Sequence, residues 1–197
     1  LFEEETYMSF RHLSVGLFVA SFAFMSILIV PAEAQRKPAI EDNDLIAGAR
    51  AGDLAAMVAA MDSGINVNDR GRDRVPPIVV AADAGQLKAV QLLIQKGADV
   101  NLRSGEGQTA LAAAVARGHP AIVKVLLQND ANPNRPGFGS EVPLITAARL
   151  GDEMMVRLLL SVDADLDETD RTGRTALDWA RENRFHSIQE RLLAKRN

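Results

Sequence analysis

From Leu45 onward the chain repeats one order of apolar and polar positions. A run of small apolar residues comes first: LIAGARA at Leu45, PIVVAADA at Pro77, ALAAAVAR at Ala110, PLITAARL at Pro143 and ALDWAREN at Ala176. A glycine follows, at Gly52, Gly85, Gly118 and Gly151, each 33 residues after the last, and one further step lands on Arg184. A second apolar run then shows helical spacing. Val90, Leu92 and Leu93 recur as Val123, Val125 and Leu126, and as Val156, Leu158 and Leu159; the last unit supplies Leu192 and Leu193, and the first the thinner Met57, Ala59 and Ala60. Gly64, Gly97, Asp130 and Asp163 share one position after it, where left-handed backbone is expected to end the helix. Asn68, Asn101, Asn134 and Asp167 follow four residues later, and polar stretches such as NLRSGEGQ and NRPGFGSE read as exposed turns.

The pattern predicts an all-α chain of about five helix–turn–helix units, with boundaries near 44–72, 73–105, 106–138, 139–171 and 172–197. No single unit can bury its own apolar face, so the units must stack. The stretch Gly85–Asn101, GQLKAVQLLIQKGADVN, is the best-formed copy. The last unit is rich in Arg and Glu and reads as a solvated cap.

Period, a T-x-L-x-x-A pattern (Thr109-Ala110-Leu111, Thr175-Ala176-Leu177) and the G-A-D-x-N string occur together. The whole of 44–197 thereby resembles the ankyrin repeat, and the resemblance implies a solenoid. It departs from the family in three ways. Ile46, Val79, Ala112, Ile145 and Asp178 stand where the family has a His that ties units by hydrogen bonds. Pro76 and Val142 replace the Thr. Both changes shift the expected burden of holding the stack onto apolar packing. Arg184 stands at a glycine position, which leaves the last turn either irregular or a capping feature.

Before the repeats, Leu13–Val30 is an uncharged apolar run preceded by Arg11 and His12. Pro31 breaks it, and Ala32-Glu33-Ala34 gives a small-x-small site. That order predicts a secretory signal peptide, 1–34, cleaved after Ala34. The acidic 1–7 suits an n-region poorly, so Met8 is an alternative start. The polar 35–43 reads as a linker. The alternative is a membrane-tethered scaffold that keeps 13–30 as an anchor, since a run of this length is near the minimum for spanning.

Charge and chemistry narrow the function. Taking Arg11 from the 22 basic residues, and Glu3, Glu4, Glu5 and Glu33 from the 26 acidic ones, leaves a nearly neutral chain. No global field points to nucleic acid or to an anionic membrane. With no Cys there is no disulfide, thiolate metal site or thiol nucleophile. His119 sits at a turn position that the family often fills with His. His186 has no partner at ligand spacing. Asp163, Asp165, Asp167 and Asp170 resemble the start of a calcium loop but lack its Gly and closing Glu. The strings around Gly105 and Gly137 lie in turns, with no strand before them to make a nucleotide loop. The methionines at 57, 61, 154 and 155 are expected in the core. No enzyme and no cofactor is expected.

What remains is surface. In the fold that the resemblance implies, turn tips and first-helix ends line one concave face. Mapped by phase, Arg70, Arg72, Arg74, Arg103, Arg135, Arg171 and Arg174 come from the tips, and Arg117 and Arg149 from helix ends. Phe138 is a candidate aromatic anchor. Arg forms paired hydrogen bonds with carboxylates, so the expected partner of a monomeric chain is a protein with an acidic segment. The resemblance to small bacterial members that carry signal peptides implies a periplasmic or secreted location. For some of those it implies roles in oxidative-stress tolerance or toxin antagonism. N-terminal sequencing of the mature protein is expected to begin at Gln35; a retained Leu13–Val30 would instead establish the tethered form.

Overall fold

The computed structural model describes residues 44–196, so the expected signal segment and linker lie outside the described residues. Among the described residues the chain forms ten α-helices and no strand. In order they are α1 (Asp44–Ala51), α2 (Leu54–Asp62), α3 (Pro77–Asp83), α4 (Leu87–Gln95), α5 (Ala110–Ala116), α6 (Pro120–Leu127), α7 (Pro143–Leu150), α8 (Glu153–Leu160), α9 (Ala176–Glu182) and α10 (His186–Arg196). Consecutive pairs make five units. The first helices α1, α3, α5, α7 and α9 pack in one row, and the second helices in another.

The five hairpin turns are alike in detail. Gly52, Gly85, Gly118 and Gly151 all have φ between 72° and 75°, and Arg184 takes the same left-handed conformation at 58°. The residue after each turns back onto a buried small residue five before it. Asp53, Gln86, His119, Asp152 and Phe185 donate their N–H to the carbonyls of Gly48, Ala81, Ala114, Ala147 and Ala180, at 2.9–3.0 Å. The last turn is therefore regular. Its Arg bears the left-handed cost, about 1–2 kcal/mol, that glycine avoids.

Periodicity also places the core. Leu45, Ile78, Leu111 and Leu144 are fully buried on the first helices, as are Leu93, Leu126 and Leu159 on the second. Each contributes roughly 1.5–3 kcal/mol by leaving water. The middle members of the second-helix triplets, Leu92, Val125 and Leu158, are only partly buried, and Leu193 is exposed. One residue along a helix turns about 100°, which carries these positions to the edge of the buried stripe. For the same reason Met57 and Met155 are core, whereas Met154, expected there, is exposed and contacts Arg157.

The expected left-handed helix end is found at Gly64, Gly97 and Asp130 but not at Asp163. In the first three units the next N–H reaches back five residues, from Ile65 to Ala60, Ala98 to Leu93 and Ala131 to Leu126. In the fourth, Ala164 bonds instead to Val162, two residues back, at 2.8 Å. This tighter turn spares Asp163 the unfavourable conformation.

Direct hydrogen bonds join the units in spite of the missing His. In each D-x-N or N-x-N string the first side chain accepts the N–H of the third residue, as Asp99 does from Asn101 at 2.8 Å. The third side chain then crosses to the next unit. Asn101 accepts from Asn132 N–H at 2.8 Å and donates to the Asp130 carbonyl at 2.9 Å. Asn134 repeats this with Asp165 and Asp163, and Asn68 accepts from Asp99. Asp167 cannot donate; its carboxylate takes Arg196 instead, at 2.9 Å. The burden expected to rest on apolar packing is thus shared by an asparagine ladder.

Asn101→Ala removes both cross-unit bonds and should cost about 1–3 kcal/mol in urea unfolding. Asn129→Ala removes only a bond to the helix it follows, within its own unit, and should cost less. Equal losses would show that the ladder adds nothing.

Candidate functional site

Each unit is joined to the next by a tip built on a second left-handed residue: Arg74, Gly107, Ser140 and Gly173, again 33 apart, with φ of 58°, 85°, 64° and 79°. Each donates its N–H three residues back, to Gly71, Ser104, Gly137 and Asp170. The two residues between form the point of the tip. They are Arg72-Asp73, Gly105-Glu106, Phe138-Gly139 and Arg171-Thr172. Chain phase thus places Arg72, Phe138 and Arg171 at one equivalent, exposed position, and Asp73 and Glu106 at the next.

The tips are tied to one another. Gly105 donates to the Arg74 carbonyl at 3.0 Å, and the Arg74 stem lies over Gly105. Phe138 donates its N–H to the side-chain oxygen of Gln108 on the preceding tip. A Cβ on Gly137 would lie 2.6 Å from that of Ala112, so this tip seats directly on the preceding unit. Ala112 is one of the residues at the family's His position, and its small size permits that approach. Phe138 is 68 % exposed on this fixed backbone.

The expected arginines divide into two groups. Several are engaged inside the chain. Arg117 forms a two-point contact with Asp83, at 2.8 and 3.3 Å. Arg149 does the same with Glu141, at 3.0 and 3.1 Å. Arg135 donates to the Asn101 carbonyl of the preceding unit at 2.7 Å, and Arg103 to Gly107 in its own tip at 2.9 Å. Arg174 lies 4.6 Å from the centre of the Trp179 ring and pairs with Glu182. Arg70, Arg72, Arg74 and Arg171 are exposed and make no side-chain hydrogen bond or ion pair among the described residues.

Between the first two tips and the first helices lies a groove of about 340 Å³. Ile46, Val75, Val79, Val80 and Ala113 give it an apolar floor. Its charged lining is Arg50, Asp73, Asp83 and Glu106, which is more acidic than the arginine-rich face expected from phase alone. Gln108 lines it too, and so joins the groove to Phe138. No sequence signal marked this groove, because its walls come from units 33 residues apart.

The other candidate chemistry resolves into structure. His119 packs over Gly85, where a Cβ would lie 2.8 Å from its ring. Asp165 and Asp167 are taken by the Asp167 N–H and by Arg196. Asp170 accepts four bonds, from the Thr172 hydroxyl and N–H, the Arg174 N–H and the Trp179 indole. Among the described residues no group of three His, Asp or Glu is placed to hold a metal ion, and no helix is long and apolar enough to cross a membrane.

The Thr172 hydroxyl, with those N–H groups, holds the Asp170 carboxyl well below the usual carboxylate range. A depressed folded-state value stabilises the fold above the unfolded value near 3.9, and the gain fades as pH falls through the folded one. Asp170→Asn should therefore lower the melting temperature near pH 7. The gap to the unsubstituted protein should narrow at about pH 3. A gap of constant size across that range would contradict the assignment.

A family model described as ankyrin repeats (3 copies) matches residues 45–137, and one described as ankyrin repeat matches residues 141–171. Together they cover more than half of the chain; the fifth unit falls outside both. No curated protein matches the chain.

Proposed function

The chain belongs to the ankyrin-repeat family, whose stacked units generally bind other proteins, and on that premise we propose that it binds a protein partner across its tip face. One observation carries this reading. The face holds an apolar-floored groove continuous, through Gln108, with an exposed Phe on a fixed backbone. Solenoids bind through such extended curved faces. Aromatic side chains held rigidly lose little entropy on docking and commonly dominate interface energetics.

Phe138 is the anchor in this reading. Arg70, Arg72 and Arg171 stand at the outer edge and meet carboxylates of an acidic stretch on the partner. The engaged arginines contribute less, since a partner would first have to displace their present acceptors. Arg117 and Arg149 hold two-point carboxylate contacts, and Arg103 and Arg135 hold the tips. Replacing Arg135 would disturb the stack as well as the face. The chain acts as a single copy and, with Leu13–Val30 read as a cleaved signal, meets its partner after export.

The test is crosslinking in intact cells followed by mass spectrometry. The unsubstituted chain is compared with the triple variant Phe138→Ala, Arg70→Glu, Arg72→Glu. A specific partner should lose crosslinking at least about tenfold, which corresponds to roughly 1.4 kcal/mol. A control with Lys88→Glu and Lys124→Glu, on the second helices, should behave like the unsubstituted chain. Equal yields from all three proteins would sink the proposal.

A further inference from the structure

The groove and the outer edge of the tip face differ in charge, and the difference points to what enters the groove. Asp73 and Glu106 occupy the same position on adjacent tips. Both line the groove, and both are exposed. Neither carboxylate forms an ion pair among the described residues. Below them Val75, Val79 and Val80 supply an apolar floor, and Ile46 and Ala113 extend it. We propose that the groove receives one Lys or Arg side chain of a protein partner, its methylene stem on the apolar floor and its cationic head between Asp73 and Glu106.

The geometry favours a long basic side chain over the alternatives. Lys and Arg bury an aliphatic stem while keeping the charged head at the surface, which is the layout of this groove. A purely apolar side chain would fill the floor but would leave two carboxylates facing it unpaired. An acidic side chain would be repelled by both. The neighbouring charges do not reverse this. Asp83, a third acid of the lining, is already held by Arg117. Arg50 stands at the first-helix side, and the Arg74 stem lies over Gly105 beside Glu106. With Asp83 set aside, the lining keeps two acids, Asp73 and Glu106, to one base, Arg50. Arg70 and Arg72 lie in the first tip, next to the groove in sequence. The partner segment is therefore dipolar, with a basic side chain in the groove and acidic residues toward the outer edge.

This inference rests on the tip face being the binding face, so the experiment separates the two. A random peptide library is selected on the purified full chain, and the best binders are synthesised and titrated. The expected result is enrichment of Lys or Arg next to apolar residues. The selected peptide should bind about tenfold more weakly to the Asp73→Asn, Glu106→Gln double variant. Replacing its basic residue with norleucine should weaken binding to the unsubstituted chain and matter little to the double variant. Both substitutions keep side-chain size at exposed positions, and circular dichroism confirms that the fold persists. Peptides that lack a basic residue, or that respond to Phe138→Ala or Arg70→Glu but not to the double variant, would overturn the occupant and keep the face. Peptides insensitive to every one of these variants, or no enrichment at all, would overturn both.

Discussion

Every unit of this stack presents an apolar face that only its neighbour can cover, so everything depends on the register between units. Burial alone fixes that register poorly, because Val, Leu and Ala can slide over similar surfaces. The asparagine ladder supplies what burial lacks. A side-chain amide carries an acceptor oxygen at one end and a donor NH2 at the other, and Asn101 and Asn134 each engage both ends with the backbone of the following unit. A shift of one residue would leave these groups facing the wrong atoms. The ladder ends at Asp167, which has no donor to offer, and there Arg196 of the last helix closes the series.

Fixing the register has a second effect. It sets the tips side by side at constant spacing, so that residues 33 apart in the chain become lateral neighbours. The scaffold positions are then constrained, while the tip points are free to vary. At one such position the chain carries Arg72, Gly105, Phe138 and Arg171 in turn. Glycine there lets the Arg74 stem cross to the second tip, and Phe supplies an exposed ring on the third. The chain-specific variation thus lies at the tip points rather than in the well-formed helices of Gly85–Asn101.

The period, the helix pairs and the four glycine turns were legible because each is a local choice of residue type repeated in phase. Two kinds of feature were not. Left-handed backbone is a property of the chain path, and Arg74, Ser140 and Arg184 adopt it without a residue that signals it, while Asp163 carries a tolerant residue and avoids it. The pairing of the arginines was also hidden. Arg117 and Asp83 are 34 residues apart, as are Arg135 and Asn101. A scan for opposite charges about one period apart finds Arg117 with Asp83, but not Arg135, whose acceptor is a backbone carbonyl that every residue carries.

The charge that survives such pairing is what a partner meets, and this changes how the face is read. Total charge near neutrality excludes a global field but says nothing of local order. After internal pairs are removed, Arg70, Arg72, Arg74 and Arg171 remain in and beside the tips, and Asp73 and Glu106 remain in the groove lining. Exposed charges separated by more than about 8–10 Å are screened at physiological salt, so neither set projects a long-range field. Their effect is local. A partner segment with the opposite order of charges gains at both sites, whereas one with the order reversed is repelled at both. Two short-range preferences of opposite sign therefore select orientation as well as composition, which a uniformly basic face could not do.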